Sequence, residues 1–356
     1  MPVLGGKTMT KRELLNRVGD LSQIAGIRLM TLADGYEAGV RIADVRTGSG
    51  LRFQVSLDRG MDISMADYRG TALAFRTPQG DVHPARFDPR GLGWLRTFPG
   101  GLLTGCGMTY LGAPCVDEGV ELGLHGRLSH LCASDLCVSE RWEGNDCVFT
   151  LTGSLRECST FGENLRLQRI LEMRLGESVI TLRDTIRNEG MERTPLMMLY
   201  HVNAGWPLVD TGARLLLNAA ATAPRDREAA GGIAEARTIS VPVAGYNEQV
   251  FYHDLRTDEH GYAAALLHNP GLGMGLFVRY RRFELPRLVE WKMMREGTYV
   301  VGIEPANCGV TGRADERKAG TLQFLSPGEE REFHLQIGVV EGDDALAQFI
   351  STHGLT

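Results

Sequence analysis

The sequence lacks any apolar run approaching the roughly 18 residues that a membrane-spanning helix requires. Its first residues, Met-Pro-Val-Leu-Gly-Gly-Lys, also lack the charged and then apolar layout of a secretory signal. Basic residues are not in excess, because 38 Lys and Arg stand against 44 Asp and Glu, for a net charge of -6. We therefore expect neither a nucleic acid nor a membrane as a partner.

Cysteine is present in an odd number and without a recognisable pattern. The seven cysteines are scattered among apolar residues, and no two form a Cys-x-x-Cys pair. This distribution argues against a disulfide framework. It predicts reduced, mostly buried thiols, as is usual for a cytoplasmic protein.

The common cofactor motifs are missing as well. There is no P-loop and no G-x-S-x-G elbow, and the glycines at 271–275 lack the dinucleotide-binding spacing and a following helix. His125, His130, Cys132 and Cys137 come nearest to a metal-ligand set, but their spacing matches no zinc pattern. The residues therefore predict no metal and no organic cofactor.

Long helical periodicity is almost absent, and two short helices are predicted. One covers 10–18, with Thr10 as N-cap and Glu13 three residues later. The other covers 343–350, with acidic residues in its first turn. The remaining regular segments resemble strands. The predicted strands are 52–57, 148–153, 167–174, 178–187, 262–268, 274–280, 298–303, 320–325 and 331–339.

Strands this numerous, without helices alternating between them, indicate an all-β antiparallel fold. No linker, low-complexity tract or repeat divides the chain. The simplest interpretation is one two-sheet sandwich over 1–356, with a helical N-terminal extension at 1–25. The length also allows two smaller β domains. The polar stretch 223–232 is expected to be a long surface loop.

Three remote patches each carry one titratable side chain where an apolar run meets a Gly/Pro turn. They are His125 in Gly-Leu-His-Gly-Arg, His201 in Tyr-His-Val-Asn, and Glu304 in Gly-Ile-Glu-Pro. We expect a strand to end at each patch, so that a rigid backbone directs the side chain into a cleft. Two imidazoles and a carboxylate suit acid–base chemistry near neutral pH. Partial burial would raise the pKa of Glu304 toward the useful range.

Each patch also has a purely structural interpretation. His125 could be a turn histidine, and His201 could end a core strand with Trp206 packed in the core. Glu304 could form a salt bridge at a sheet edge, to Lys292 or Arg127. These alternatives stay open at the level of single patches.

Polar and aromatic neighbours could bind a sugar around these groups. Arg127 would share a face with His125 if that segment is extended. Asn203 has the same facing as His201, and Trp206 could stack on a sugar ring. The segment from Trp94 to Leu103 and the Trp291-Lys292 pair have the composition of cleft walls.

A glycine turn between two predicted strands adds a weaker candidate. Asp58, Arg59 and Asp62 surround Gly60 in the stretch Asp-Arg-Gly-Met-Asp. This could be a binding loop, although a hairpin with a local ion pair is favoured.

In order and spacing, the patches resemble the aldose 1-epimerase, or galactose mutarotase-like, superfamily. The likeness covers about residues 30–340 and includes Asp-Arg-Gly-x-Asp-Ile, a Trp…Phe…Gly-Gly-Leu segment, His-Gly, a strand with His-x-Asn, and Glu-Pro. It is greatest to a poorly characterised branch. Two departures are the valine directly after His201 and the lack of a clear early Asn-Arg pair, for which Asp58 and Arg59 are the candidates.

The resemblance implies a large antiparallel β-supersandwich with a sugar cleft and no cofactor. It implies that His201 is the acid for the ring oxygen, Glu304 the base for the anomeric hydroxyl, and His125 a binding and polarising group. Positioning roles would then fall to Arg127, Asn203, Lys292 and Asn307.

The function expected on these grounds is anomer interconversion of a monosaccharide or sugar derivative. The alternatives are a non-catalytic carbohydrate-binding or regulatory protein on the same fold, or a glycan lyase or hydrolase. Against hydrolysis, no second acidic residue is clearly paired with Glu304. Exposed β edges favour a homodimer.

Overall fold

Alternating segments become strands throughout the computed structural model, which describes residues 1–356. In chain order the strands are β1 Val3–Leu4, β2 Lys7–Thr8, β3 Gly26–Thr31, β4 Arg41–Arg46, β5 Leu51–Ser56, β6 Asp62–Tyr68, β7 Thr71–Ala72, β8 Leu103–Met108, β9 Cys115–Asp117, β10 Val120–Leu122, β11 Ser134–Glu143, β12 Asp146–Cys158, β13 Asn164–Arg174, β14 Val179–Asn188, β15 Thr194–Gly205, β16 Arg214–Leu217, β17 Ala219–Pro224, β18 Gln249–Leu255, β19 Tyr262–Asn269, β20 Met274–Arg281, β21 Arg287–Arg295, β22 Thr298–Ala306, β23 Gln323–Leu325 and β24 Glu330–Glu341.

Two large antiparallel sheets contain nearly all of these strands, which confirms the all-β prediction. One sheet has twelve strands, ordered β17-β18-β21-β22-β15-β8-β6-β5-β4-β3, with β23 added beside β15 and β7 beside β6. The other has eight, ordered β11-β12-β13-β14-β24-β20-β19-β16. The pairs β1–β2 and β9–β10 form two small separate sheets.

Helices are few and short. They are α1 Lys11–Leu15, α2 Arg227–Gly231, α3 Arg313–Ala319 and α4 Asp343–His353, with 3₁₀ turns at Leu21–Gln23, Gly35–Glu37, Pro84–Arg86, Gly93–Arg96, Leu128–His130 and Ile233–Glu235. The predicted capping box is present, because Thr10 accepts a bond from the Glu13 backbone and Glu13 accepts one from Thr10. The predicted terminal helix is present as α4. No helix is long and apolar enough to cross a membrane.

At β15 the twelve-stranded sheet is buried on both faces, each against a different apolar cluster. Along β15, Met198, Tyr200 and Val202 join a core of 60 buried residues that fills the space between the two large sheets. Met197 and Leu199 belong instead to a smaller apolar cluster on the opposite face. Because side chains alternate along a strand, residue 201 lies on the face of the smaller cluster. We call this face the site face.

A buried ion pair of the eight-stranded sheet bonds to the twelve-stranded sheet beneath β15. Arg169 donates from Nε and Nη2 to both carboxylate oxygens of Asp184, at 2.9 and 2.7 Å. The Tyr200 hydroxyl donates to the same carboxylate at 2.7 Å. Asp62 lies 3.6 Å from Arg169 and accepts a hydrogen bond from the Gly105 backbone. Charged groups with this many partners can be buried without an unpaired charge.

Several local predictions were wrong. The expected loop 223–232 contains the end of β17 and the whole of α2, which Asp226 caps. Helix α3 was not predicted, and the strand expected at 320–325 is only Gln323–Leu325. The segment of α3 is rich in helix-forming residues and ends at Gly320 in a left-handed conformation, so the sequence did contain its signal.

The cysteines are all free thiols, as expected, but the expectation that most are buried was wrong. Cys106, Cys147 and Cys308 are buried. Cys132, Cys137 and Cys158 are exposed, and Cys115 is half-buried.

Candidate active site

His201 and Glu304 face each other across two neighbouring strands near the middle of the twelve-stranded sheet. Val202 of β15 pairs with Ile303 of β22, which sets residues 201 and 304 opposite each other in the antiparallel register. His201 Nε2 lies 3.2 Å from Glu304 Oε1. Both residues are inside their strands and not at strand ends as expected, because β15 continues to Gly205 and β22 passes through Pro305 to Ala306.

His125 reaches the same place from a turn. Its backbone is left-handed, with φ of 56°, and Gly126 follows with φ of 80°. A Cβ on Gly126 would lie 2.5 Å from the carbonyl oxygen of Gly107, so only glycine fits there. The turn is held to strand β8 by a hydrogen bond from the Gly107 amide to the His125 carbonyl, at 2.9 Å. The rings of His125 and His201 are 6.0 Å apart, edge to face.

Aromatic rings surround the two imidazoles. Trp94 lies 4.8 Å from the His125 ring and stacks on Phe98 at 4.6 Å. Phe98 and Trp291 lie 5.7 and 5.3 Å from the His201 ring. The two segments predicted as cleft walls therefore do converge on the histidines, through Trp94, Phe98 and Trp291.

The polar atoms of this group are buried without partners. Only 5 % of His201 and 2 % of Glu304 is exposed. The contact between them is not aligned as a hydrogen bond, and Glu304 Oε1, His201 Nδ1 and His125 Nδ1 have no hydrogen-bond partner. Because a buried polar atom without a partner is destabilising, these three atoms mark a place where a polar ligand would be stabilised.

Burial controls the protonation of the three groups. It lowers the pKa of His201 to about 3, with a further contribution from His125. It lowers the pKa of His125 to about 4, helped by the positive charge of Arg225. It raises the pKa of Glu304 well above its ordinary value, and Glu248 adds to this effect. Near neutral pH both imidazoles are therefore neutral, and burial favours the protonated form of the Glu304 carboxyl.

Arg225 and Glu248 form a polar rim that the sequence did not reveal. Arg225 Nη2 donates to Glu248 Oε1, and Trp291 Nε1 donates to Glu248 Oε2, both at 3.0 Å. Arg225 also binds Asp226. Arg225 lies within 223–232, the stretch expected to be a surface loop. The sequence does not show that Arg225 and Trp291 both bind Glu248, because they are far apart in the chain.

Asn203 is brought to the site. It lies on the same face of β15 as His201 and is fully buried. Its amide group donates to the carbonyl oxygens of Gly101 and His201, at 3.1 and 2.9 Å. Its Oδ1 atom has no partner and remains able to accept a hydrogen bond.

Arg127 and Lys292 are not brought to the site. The left-handed turn at His125 directs the chain away from an extended path, and Arg127 Nη1 donates to Glu163 at 3.1 Å. Lys292 lies on the opposite face of β21 from Trp291, where Nζ donates to the carbonyl of Thr238 at 2.7 Å. Neither residue forms the salt bridge to Glu304 that the structural alternative required.

Asn307 and Asp58 also lie outside the site: Asn307 bonds to backbone groups and Asp58 forms an ion pair. Asn307 accepts from the Met198 amide at 2.7 Å and donates to the Leu196 carbonyl at 3.1 Å, which ties the end of β22 to β15. Asp58 accepts from Arg41, at 2.7 Å from its amide and 2.9 Å from Nε. The ion pair expected within this turn is therefore formed instead with Arg41, 17 residues away in the chain.

Arg59 does not line the site but holds a neighbouring segment in place, and Trp206 lies outside the site. Arg59 is 1 % exposed and donates to the carbonyl oxygens of Val82 and Thr97, both at 2.7 Å. This fixes the segment that carries Phe98. Trp206 is 66 % exposed, so it neither packs in the core nor stacks on His201.

The residues considered for metal binding have other contacts. His130 stacks on Phe87 at 3.7 Å, and its Nε2 is 2.8 Å from the Thr97 hydroxyl. Cys132 and Cys137 are exposed thiols. No three His, Cys, Asp or Glu side chains converge with the geometry of a metal site.

Solved structures with this fold are galactose mutarotase-like proteins. A provisionally assigned aldose 1-epimerase from Klebsiella pneumoniae is 25 % identical, with a TM-score of 0.88 over 92 % of this chain and 86 % of its own. A galactose mutarotase-like protein from Clostridium acetobutylicum is 13 % identical, with a TM-score of 0.63 over 90 % and 99 %. A galactose 1-epimerase from Lactobacillus acidophilus is 14 % identical, with a TM-score of 0.57 over 90 % and 100 %.

The chain therefore has the galactose mutarotase-like fold. It belongs to the family described as a domain of unknown function (DUF4432), whose model matches residues 37–339. A comparison with curated proteins finds no match.

Proposed function

We propose that the protein interconverts the anomers of a monosaccharide or sugar derivative. The observation that carries this proposal is the buried contact between His201 and Glu304, 3.2 Å apart and enclosed by aromatic rings. Similarity to a provisionally assigned aldose 1-epimerase at 25 % identity supports it.

The proton requirements of the reaction match the pair. Opening a cyclic hemiacetal needs one proton delivered to the ring oxygen and one removed from the anomeric hydroxyl. Both oxygens are bonded to the same carbon, so an acid and a base a few ångströms apart can serve both. A general acid and a general base together must hold one proton at the start of the cycle.

The raised pKa of Glu304 favours its carboxyl as the carrier of that one proton. Transfer of this proton to His201 Nε2, after substrate binding has aligned the two groups, leaves an imidazolium and a carboxylate with the same total charge. His201 then donates to the ring oxygen while Glu304 accepts from the anomeric hydroxyl. Rotation about the C1–C2 bond and reclosure from the other face return both protons. His125 Nδ1 and Asn203 Oδ1 are available to hold sugar hydroxyls.

The burial of the pair favours a small substrate. Aromatic rings stack on the apolar faces of sugar rings, and Trp94, Phe98 and Trp291 surround the histidines. A pair this enclosed suits a monosaccharide better than a polymer. Glu248, the carboxylate that could serve a hydrolase beside Glu304, is already bound to Arg225 and Trp291.

The test is anomer exchange followed by NMR or polarimetry. Freshly dissolved single anomers of aldoses, ketoses and acidic sugars are mixed with the wild type, with Glu304→Gln and with Glu296→Gln. Glu296 is an exposed carboxylate in the turn before β22 and is the matched control. We expect faster exchange for at least one sugar, and a loss of about 10²–10⁴-fold in Glu304→Gln alone. Equal rates for wild type and Glu304→Gln across the panel would remove the catalytic assignment.

A further inference from the structure

A second feature of the site face is a pocket of about 470 Å³ toward the β17 edge of the sheet, lined by residues other than His201 and Glu304. It lies over strands β17, β18 and β21 and the segment after β22, with Tyr252 and Arg287 among its lining residues. The function proposed above does not use it.

The strand register places Arg287, one of the lining residues, close to Glu304 in the sheet. Val289 of β21 pairs with Glu304, and Arg287 pairs with Ala306. Arg287 is therefore on the same face as Glu304 and is its diagonal neighbour, a position typically about 7–8 Å away between Cα atoms. Tyr252 of β18 pairs with Val289 and continues the same row toward the sheet edge.

The other charged, imidazole and amide side chains of the pocket already have partners. Each of them forms a hydrogen bond or an ion pair with another side chain of the protein. Asp254 is paired with Arg282, His253 with Glu290, and Asn307 with Gln323.

Arg287 is different, because it makes no ion pair and no side-chain hydrogen bond with the protein. It is half-buried, so its guanidinium group is accessible from the pocket. A guanidinium presents five N–H donors in a planar fork that matches the oxygens of phosphate, sulfate and carboxylate groups. The chain as a whole is negatively charged, at -6, and would otherwise repel an anion.

We propose that this pocket is an anion subsite, and that the substrate is a sugar derivative carrying an oxyanion group, which Arg287 binds. The proposal rests on the proposed function, since it assigns the substrate class of the same site. Phosphate, sulfonate and carboxylate share the required chemistry. The sugar ring would lie at His201 and Glu304, with its charged substituent directed along the sheet toward β21.

The experiment compares anionic with neutral sugars on three proteins. Glucose 6-phosphate, glucuronate and glucose are tested on the wild type, on Arg287→Gln and on Arg295→Gln, in binding by calorimetry and in anomer exchange by NMR. Arg295 lies on the same strand and face but is exposed outside the pocket, so it is the matched control. Arg287→Lys keeps the charge without the fork.

We expect Arg287→Gln to weaken binding of at least one anionic sugar by about 10–100-fold, as for the loss of one charge-assisted contact. Glucose should be unaffected, Arg295→Gln should match the wild type, and Arg287→Lys should recover part of the loss. The more strongly affected sugar distinguishes phosphate from carboxylate. Because Arg287 makes no ion pair and no side-chain hydrogen bond with the protein, the melting temperature should change little.

The two proposals fail in different ways. Arg287-dependent anion binding without any anomer exchange would keep the subsite and reject the enzyme. Exchange of neutral sugars, with anionic sugars bound equally by wild type and Arg287→Gln, would keep the enzyme and overturn the subsite. An adventitious contact with any anion would appear as equal losses in Arg287→Gln and Arg295→Gln, and would also overturn it.

Discussion

The enclosure of His201 predicts a specific dependence of stability on pH. Burial lowers the pKa of this histidine from an ordinary 6.5 to about 3. Below about pH 6.5 the unfolded chain therefore binds a proton at this position that the folded protein does not. Folding stability that is fully present above pH 6.5 is lost as the pH falls toward 3.

The magnitude follows from the gap between the two pKa values. At about pH 5 the imidazole of the folded protein is still neutral. In the unfolded chain it is largely protonated, because this pH is about 1.5 units below its pKa of 6.5. At about 1.4 kcal/mol per unit, His201 lowers the free energy of unfolding by about 2 kcal/mol relative to pH 7.5. Since 5 % of the residue is exposed, solvent screening reduces this value little.

The assay is urea unfolding at about pH 5 and pH 7.5 for wild type, His201→Gln and His260→Gln. His260 is an exposed histidine and serves as the control. We expect the wild type to lose about 2 kcal/mol more than His201→Gln between the two conditions, and His260→Gln to behave as wild type. An identical pH dependence for wild type and His201→Gln would refute the claim that this imidazole is buried in its neutral form.

Three further outcomes follow from the same structure. Glu304→Gln should raise stability more at about pH 7.5 than at pH 5, measured by thermal melting, because a carboxyl with a raised pKa destabilises the fold as pH rises above 4.5; a constant difference would contradict this. Arg169→Met should cost about 3–5 kcal/mol in urea unfolding, because it leaves Asp184 buried without its cation, and a loss under 1 kcal/mol would be the contrary result. Gly107→Ala should abolish soluble expression, because Gly107 has a φ of 108° and a Cβ there would lie 1.9 Å from a carbonyl oxygen of the neighbouring strand. Gly19→Ala is the control: a Cβ at residue 19 meets nothing within 4 Å, so this variant should express normally.

His201 and Glu304 could be selected as candidates from the sequence because each differs sharply in polarity from its neighbours. His201 and Glu304 each interrupt a long apolar segment, and such interruptions are costly unless they are used. Their mutual distance could not be predicted, because it depends on the register between β15 and β22, which are about a hundred residues apart in the chain. The same limit hid Arg225, whose relation to the site requires the pairing of β17, β18 and β21.

Other residues were misplaced for local reasons. Lys292 follows Trp291 directly in a strand, so the two side chains must point to opposite faces, and only the tryptophan can belong to the site. Arg127 was placed beside His125 on the assumption of an extended backbone. The positive φ at His125 shows that the backbone is not extended there. Because non-glycine residues rarely adopt a positive φ, the sequence alone does not predict it.

His201 and Glu304 lie on central strands of the sheet, whereas the charged residues around them lie toward its edge. β15 and β22 are held on both sides by other strands, and a one-residue slip would turn both side chains away from the site face. Arg225 follows β17, the outermost strand, and Tyr252 belongs to the strand beside it. Edge positions can change with less disturbance to the core. If the proposed function holds, substitutions in β17 and β18 should change substrate preference while leaving His201 and Glu304 in register.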